Sequence, residues 1–410
     1  MKIKRPELLL PAGSIEKLKV AFHFGADAVY LGGKSFSLRA NATNFSHEDI
    51  QEAVALAKKL KKKIYVTLNI YAHNQDIEQL KEEILFLEKV GVDAVLVSDI
   101  GVLSLVKETA PKLPIHISTQ ANTTNYRAVQ MYKQLGATRV VLARELSIAE
   151  IKEIHEKCDV ELEAFVHGAM CVGMSGRCLL SEYFTNRNAN QGACSHPCRW
   201  EYKLQRFEKE EDSSVFVEED SRGTYFFNSK DLQLIDRLQE LLNAGVYSLK
   251  VEGRMKSEFY LATVALAYRK AIDDILKHGA IQDVSELKRE LSTIAHRAYT
   301  EAYAVGENTD TIYNKGGQIE EEQIFVARVT KVENGRAIVE MRNRFLEGDE
   351  VSVLSPNEYC YKKFKIEDIR NEKGEQVADA KLVQAIYSIK TLFKLAEGDI
   401  IRRQKTKSKP

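Results

Sequence analysis

Three stretches carry one phrase: residues 24–33 read FGADAVYLGG, residues 90–99 read VGVDAVLVSD, and residues 135–145 read LGATRVVLARE. In each, an amphipathic segment ends, a glycine follows, and a short apolar run begins. A helix closes readily on a glycine, which adopts the left-handed backbone without a steric penalty, so Gly25, Gly91 and Gly136 mark helix ends. The runs behind them are apolar throughout rather than alternating, as parallel strands covered on both faces must be. The repeated phrase is a helix, a turn and a buried parallel strand.

Working outward, similar strands are expected at 7–11, 28–32, 64–69, 94–99, 115–120, 140–145, 162–167 and 247–252. Helices at 14–24, 47–61, 76–90, 101–110, 125–135 and 147–158 fall between them, several opened by a serine N-cap such as Ser14 or Ser46. Eight strands separated by helices predict an α/β chain folded as a (β/α)8 barrel. A doubly wound open sheet is the alternative; polar residues at every strand end favour the closed form. Beyond two further helices, at 257–277 and 284–298, the pattern changes. From residue 324 the apolar positions alternate, which predicts a small antiparallel β-barrel. The NKGGQ at 314–318 gives a boundary, with a barrel domain over 1–318 and a β-domain over 319–410. The tail RRQKTKSKP, residues 402–410, reads as a frayed basic end.

Composition narrows the function classes. The 410 residues are 44% hydrophobic and 29% charged with a formal net charge of zero, so no global field advertises a nucleic-acid partner. The apolar run before Pro11 is three leucines, too short for a signal peptide, and no stretch reaches membrane-spanning length. A cytoplasmic location is therefore expected. In a reducing compartment clustered cysteines mean metal or redox chemistry rather than disulfides.

Four of the six cysteines lie in the long connection between the seventh and eighth strands, within an insertion over 168–230. Connections of that length are normally functional. Cys171 and Cys178 stand seven positions apart, and Cys194 and Cys198 one helical turn apart. Four thiolates suit either tetrahedral zinc or an iron–sulfur cluster. The spacing is wider than a zinc knuckle and fits a larger object, although zinc and unliganded thiols stay open on spacing alone. Cys158 and Cys360 lie outside the window and read as packed thiols. An acidic stretch at 208–220 between YKLQRF and TYFFN reads as a hairpin with a solvated tip.

Polar residues that end strands form a second constellation. Catalytic groups of such barrels sit there, on the C-terminal face. The ring contains Ser37, Arg39, Asn41, Asn69, Tyr71, Asp99, Gln120, Asn122, Arg144, Glu145, His167, Glu252 and Arg254. Glu145, His167, Glu252 and Arg254 are the candidate catalytic residues. Arg39, Asn41, Asn69, Gln120, Arg144 and Arg177 are candidates for substrate binding, the arginines because a guanidinium forks onto carboxylate or phosphate. The lysines 58, 59, 61, 62 and 63 close a helix at the opposite face, where they complement its dipole. Lys362, Lys363, Lys365 and the basic tail are the candidate RNA contact; the interleaved Tyr359, Tyr361 and Phe364 offer faces for a base but read first as core packing.

Residues 163–181, EAFVHGAMCVGMSGRCLLS, together with residues 7–46 and the KVEGRMKS at 250–257, resemble the peptidase U32 or collagenase-like protease family over essentially the whole chain. Within that family the chain is most similar to the bacterial tRNA hydroxylation branch. The resemblance implies a 4Fe-4S cluster on Cys171, Cys178, Cys194 and Cys198. It also implies tRNA and prephenate as substrates, conversion of the wobble uridine to 5-hydroxyuridine, and a family partner protein. Other branches act on an rRNA cytidine or a quinone ring. The family's older name implies proteolysis, for which His167 or His196 would have to serve a cysteine nucleophile. No HExxH or GxSxG is present, and two cysteines would be left without a role.

Overall fold

The computed structural model describes residues 5–37, 44–200, 228–306, 311–312, 319, 321–391 and 393–405. Strands β1 (Glu7–Pro11), β2 (Ala28–Gly32), β3 (Lys63–Leu68), β4 (Ala94–Val97), β5 (Ile115–Ile117), β6 (Arg139–Val141) and β7 (Glu161–Ala169) pair in parallel, each with the next. A short strand β8 (Asp231–Gln233) runs antiparallel to the end of β7. Strand β9 (Val246–Val251) then pairs in parallel with both β7 and β1, which closes an eight-stranded barrel. The expected fold is present, with β9 as its eighth stave. Unforeseen are β8 and its neighbour β10 (Tyr299–Thr300), which extend the sheet beside β7.

The outer layer is α1 (Ile15–His23), α2 (His47–Leu60), α3 (Ile77–Val90), α4 (Ile100–Thr109), α5 (Tyr126–Gln134) and α6 (Ile148–Lys157). It continues with α8 (Leu238–Asn243), α9 (Glu258–His278) and α10 (Val284–Ser292), while the short α7 (Leu180–Thr185) belongs to the connection after β7 at the mouth. Ser14, Ser46, Asn125, Ser147 and Ser257 cap their helices through side-chain oxygens, satisfying amides that no helical carbonyl can reach. Asp99, expected on the rim, is spent in the same way, accepting from the Val102 amide at 3.0 Å. Gly25, Gly91 and Gly136 all hold positive φ, as the repeat predicted. The lysine run lies at the N-terminal face: Lys58 reaches the Val90 carbonyl and Lys63 reaches Glu7 at the foot of β1.

Branched apolar side chains usually fill such a barrel. This one carries ions in its lower half. Arg139 donates to Glu7 at 2.5 Å, to Glu163 at 3.1 Å and to the half-exposed Glu161 at 2.9 Å. Lys250 binds the other oxygen of Glu163 at 2.8 Å, and Tyr65 and Ser248 donate to Glu7 at 2.7 and 3.0 Å. Burial opposes ionisation of Glu7 and Glu163. For Glu7 the cation Arg139 prevails, for Glu163 Lys250 and Arg139 together, and both carboxyls are held below their ordinary range.

The C-terminal strands are β11 (Gln323–Glu333), β12 (Arg336–Met341), β13 (Phe345–Leu346), β14 (Glu350–Leu354), β15 (Lys363–Lys365), β16 (Glu367–Arg370), β17 (Asp379–Ala380), β18 (Ile386–Lys390) and β19 (Ile400–Gln404). Seven form one antiparallel sheet in the order β15-β14-β19-β11-β12-β18-β16. Its two end strands are joined by the single buried residue Ile366, so the sheet nearly closes on itself. The domain is fastened to the barrel by ion pairs. Arg402 donates both guanidinium nitrogens to Glu290 on α10, Arg342 meets Glu258 at 3.1 Å, and Asp399 accepts from His23 at 3.1 Å. Leu354 and Ile400 also pack into the barrel's core.

One expectation is corrected here. Arg402, Arg403 and Gln404 are not frayed: they complete β19, because their alternation places Arg402 inward against a buried glutamate. Tyr361 and Phe364 pack, the outcome the sequence favours over base stacking. Arg402 and Lys270 flank the Tyr361 ring, and Phe364 belongs to the β-domain core. The acidic hairpin and the NKGGQ boundary lie outside the described residues. Among those described, no helix is long and apolar enough to cross a membrane.

Candidate active site at the barrel mouth

The C-terminal ends of the staves surround a cavity of about 430 Å³. Its cysteine wall grows out of β7, which outruns its neighbours by several residues. Gly168 makes this possible. Its φ is +105°, and its backbone lies so close to the Glu252 carbonyl that a Cβ would collide with it. Past β7 the chain turns at Met174–Gly176, where Ser175 takes the left-handed conformation at φ 46°. Glu145 holds that turn: its carboxylate accepts from the Ser175 amide and hydroxyl, both at 2.7 Å.

Hydroxyl groups tie the second cysteine pair to the first. Ser195 beside Cys194 meets Ser181 at 3.0 Å and Thr185 at 2.9 Å, and both of those sit on α7 just after Cys178. The Asn190 side chain bonds the Cys178 carbonyl, while its own carbonyl accepts from the Tyr71 amide. Through these bonds Cys171, Cys178, Cys194 and Cys198 all come to line the one cavity, and none is in a disulfide. Burial pushes the Cys198 thiol up to about 11, with Cys171, Cys194 and Cys178 adding to the rise, and Cys178 is raised for the same reason. Among the described residues no group of three His, Cys, Asp or Glu side chains is arranged to hold a metal ion. The sulfurs stand as walls of a cavity rather than as a closed tetrahedral cage.

Polar groups line the rest of the cavity, with Gln120 and Cys171 both beside Gly176. Asn69 donates to Gln120 at 2.9 Å and to Ser118, with Thr67 beside them. Arg144 lies over the Phe165 ring at 3.9 Å, donates to the Ala169 carbonyl, and approaches Glu252 at 3.5 Å. Arg254, almost wholly buried, reaches Ser37 at 2.6 Å and also Asn44. Asn69, Gln120, Arg144, Glu252 and Arg254 thus share the cavity as expected. Arg39 and Asn41 lie outside the described residues.

Three candidates face elsewhere. Glu145 is not a cavity group, because its carboxylate is consumed by Ser175. Arg177 points along the outer rim, donating to the Gln120 carbonyl at 2.8 Å beside the Tyr71 ring. His167 turns away from the cavity and is enclosed by Tyr260, Tyr268 and Tyr299. Burial there holds its imidazole down to about 3, so it stays neutral and is no base for the mouth.

Other cavity groups escaped the reading of strand ends. Lys250 and Phe165 sit inside strands, and Arg199 and Lys256 follow motif residues that drew the eye first. A signal was available for Lys250. A lysine and a glutamate inside otherwise apolar strand runs call for one another, because a buried charge is tolerated when paired.

The two parts of the chain match two family models. That of peptidase family U32 covers residues 13–314, and that of the family's C-terminal domain covers residues 321–402. The chain belongs to peptidase family U32. Three U32 relatives bear three different names. A Haemophilus influenzae protein named tRNA hydroxylation protein P is 39% identical, over 91% of this chain and 90% of its own. The Escherichia coli 23S rRNA 5-hydroxycytidine C2501 synthase is 38% identical, over 67% of this chain and 40% of its own. A Porphyromonas gingivalis protein named collagenase is 30% identical, over 91% of this chain and 92% of its own.

Proposed function

We propose that this U32 protein hydroxylates RNA, with the wobble uridine of tRNA as substrate, C5 as the position and prephenate as the co-substrate. The observation that carries the reading is the meeting of four cysteine side chains and a cationic, amide-rich wall in one cavity at the barrel mouth. The names of the Haemophilus and Escherichia relatives support the same chemistry: both are RNA-modifying, and one names the 5-hydroxy product.

Cys171, Cys178, Cys194 and Cys198 would hold a 4Fe-4S cluster. The donor set fits: four free thiols line one cavity, and their turn is braced by Glu145 and by the Ser181, Thr185 and Ser195 hydroxyls. When bound, the cluster supplies redox or Lewis-acid chemistry. The protein's own groups do the rest. Asn69 and Gln120 offer the amide donors and acceptors that read a base edge. Arg144 is kept flat on Phe165 by Glu252 and presents fixed positive charge to an anionic co-substrate. A base must leave its stack to reach this mouth, which an anticodon loop allows at small cost.

Nucleosides from a deletion strain, measured by mass spectrometry, lose the C5 oxygen at the wobble position, and the native gene restores it. Unchanged nucleosides would overturn the substrate. Anaerobically purified protein is brown, with iron and sulfide in equal amounts; a colourless protein with one zinc would overturn the cofactor.

Proteolysis is the second reading, and one contact favours it: Cys194 Sγ lies 3.9 Å from His196 Nδ1. That is the long end of a thiol–imidazole hydrogen bond. Gelatin cleavage abolished by Cys194→Ala and by His196→Ala alike would establish it.

A further inference from the structure

The cavity has five cations in its lining, and three of them are engaged. Lys250 is bound to Glu163, Arg144 to Glu252 and Ala169, and Arg254 to Ser37 and Asn44. Lys256 and Arg199 differ. Among the described residues neither forms an ion pair: Lys256 donates to the Ala295 carbonyl at 3.2 Å and lies over the Tyr260 ring. The carboxylate in their vicinity, Asp231, is already held by Arg297 through a 2.6 Å side-chain bond and a 3.1 Å backbone bond. Arg297 adds a third cation to the same corner. The two unpaired cations stand within each other's electrostatic reach, and Arg199 within that of Cys198 and Cys171. Like charges so placed repel unless something negative comes between them.

We infer that Lys256 and Arg199 balance the charge of the cluster held by the four cysteines, and thereby raise its reduction potential. The inference rests on the cluster reading proposed above. Four thiolates outweigh the charge of the iron–sulfide core, so the bound group is an anion, and reduction makes it more negative. A neighbouring cation therefore favours the reduced state, and net charge is one of the quantities that set such potentials. A unit charge about 10 Å away, at an effective dielectric of about 20, changes a one-electron equilibrium by roughly tenfold or somewhat more. Tenfold is about 59 mV for one electron.

The test uses the full chain, purified or reconstituted without oxygen, as wild type, Lys256→Gln, Lys256→Arg, Arg199→Gln and the surface control Lys288→Gln. Iron and sulfide are counted first, and the midpoint potential is then read by spectroelectrochemical titration. Lys256→Gln and Arg199→Gln each retain the cluster and lower the reduced fraction at fixed potential by about tenfold. Lys256→Arg and Lys288→Gln match the wild type. Loaded variants with unmoved potentials would overturn the charge role and leave the cluster reading standing. An equal shift in Lys256→Arg and Lys256→Gln would overturn it too, since shape rather than charge would then be responsible. If the neutral variants fail to load while Lys256→Arg loads, the charge is needed to bind the cluster rather than to tune it and the claim about its potential is overturned; failure of Lys256→Arg as well would sink it too. A wild type without iron would overturn both claims.

Discussion

Replacing Arg139 by methionine tests the claim that the barrel is held from within by ions. The guanidinium contacts three carboxylates, of unequal weight. Glu161 is 42% exposed at its side chain, so its contact counts as a surface pair, about 0–1 kcal/mol. Glu163 keeps Lys250 at 2.8 Å. Glu7 loses its buried cation and retains the Tyr65 and Ser248 hydroxyls with the half-exposed Lys63. Stranding one buried charge in this way costs about 3–5 kcal/mol. In the wild type the Glu7 carboxyl is held below its ordinary value, so its contribution is present above about pH 4.3 and fades in acid. Without Arg139 burial is opposed only by the two hydroxyls and Lys63 and the carboxyl rises, so acid relieves the variant while it weakens the parent. Urea unfolding followed by circular dichroism at pH 7 and near pH 5 therefore shows a gap that narrows on acidification. Adding Glu7→Gln to Arg139→Met recovers at least half of the loss. A loss below about 1 kcal/mol at neutral pH, or a double variant no better than the single, would refute the reasoning.

Three further outcomes are expected. His167→Gln loses the acid sensitivity of the parent: the buried neutral imidazole refuses a proton that the unfolded chain accepts, so between about pH 6.5 and its folded value near 3 the wild type weakens by up to about 1.4 kcal/mol per pH unit more than the variant. Parallel stability profiles would contradict this. Glu145→Ala removes two charge-assisted bonds from Ser175, so the proposed cluster would be lost to a chelator at least several times faster with the fold intact by circular dichroism. Glu290→Ala strands Arg402 at the domain junction and lowers stability by about 3 kcal/mol or more, with faster proteolysis near the junction; an unchanged cleavage rate would count against the junction's rigidity.

The barrel was readable because its signals are local. A glycine after an amphipathic helix and before an apolar run needs no tertiary knowledge. The cysteine window was readable for the same reason, as four thiols in one connection. What failed was direction. His167, Glu145 and Arg177 stand where a barrel's chemistry is expected, yet a shift in the pairing of β7 with β9 between Phe165 and His167 turns the histidine outward. The Glu145 carboxylate is taken by a serine in a left-handed turn that sequence does not announce. The basic tail was misread because Arg402 finds Glu290 more than a hundred residues away. Lys250 and Glu163 were less legible because each lies inside a strand rather than at its end, and their pairing across the barrel is made only by the fold.

All four sulfurs hang from one connection, between the seventh and eighth staves, while every contact that closes the ring of strands is made elsewhere. The scaffold can therefore finish folding with its mouth empty. For the cluster proposed above, loading and loss of the group would then be separable from formation of the ring of strands, so a stripped protein would keep its barrel.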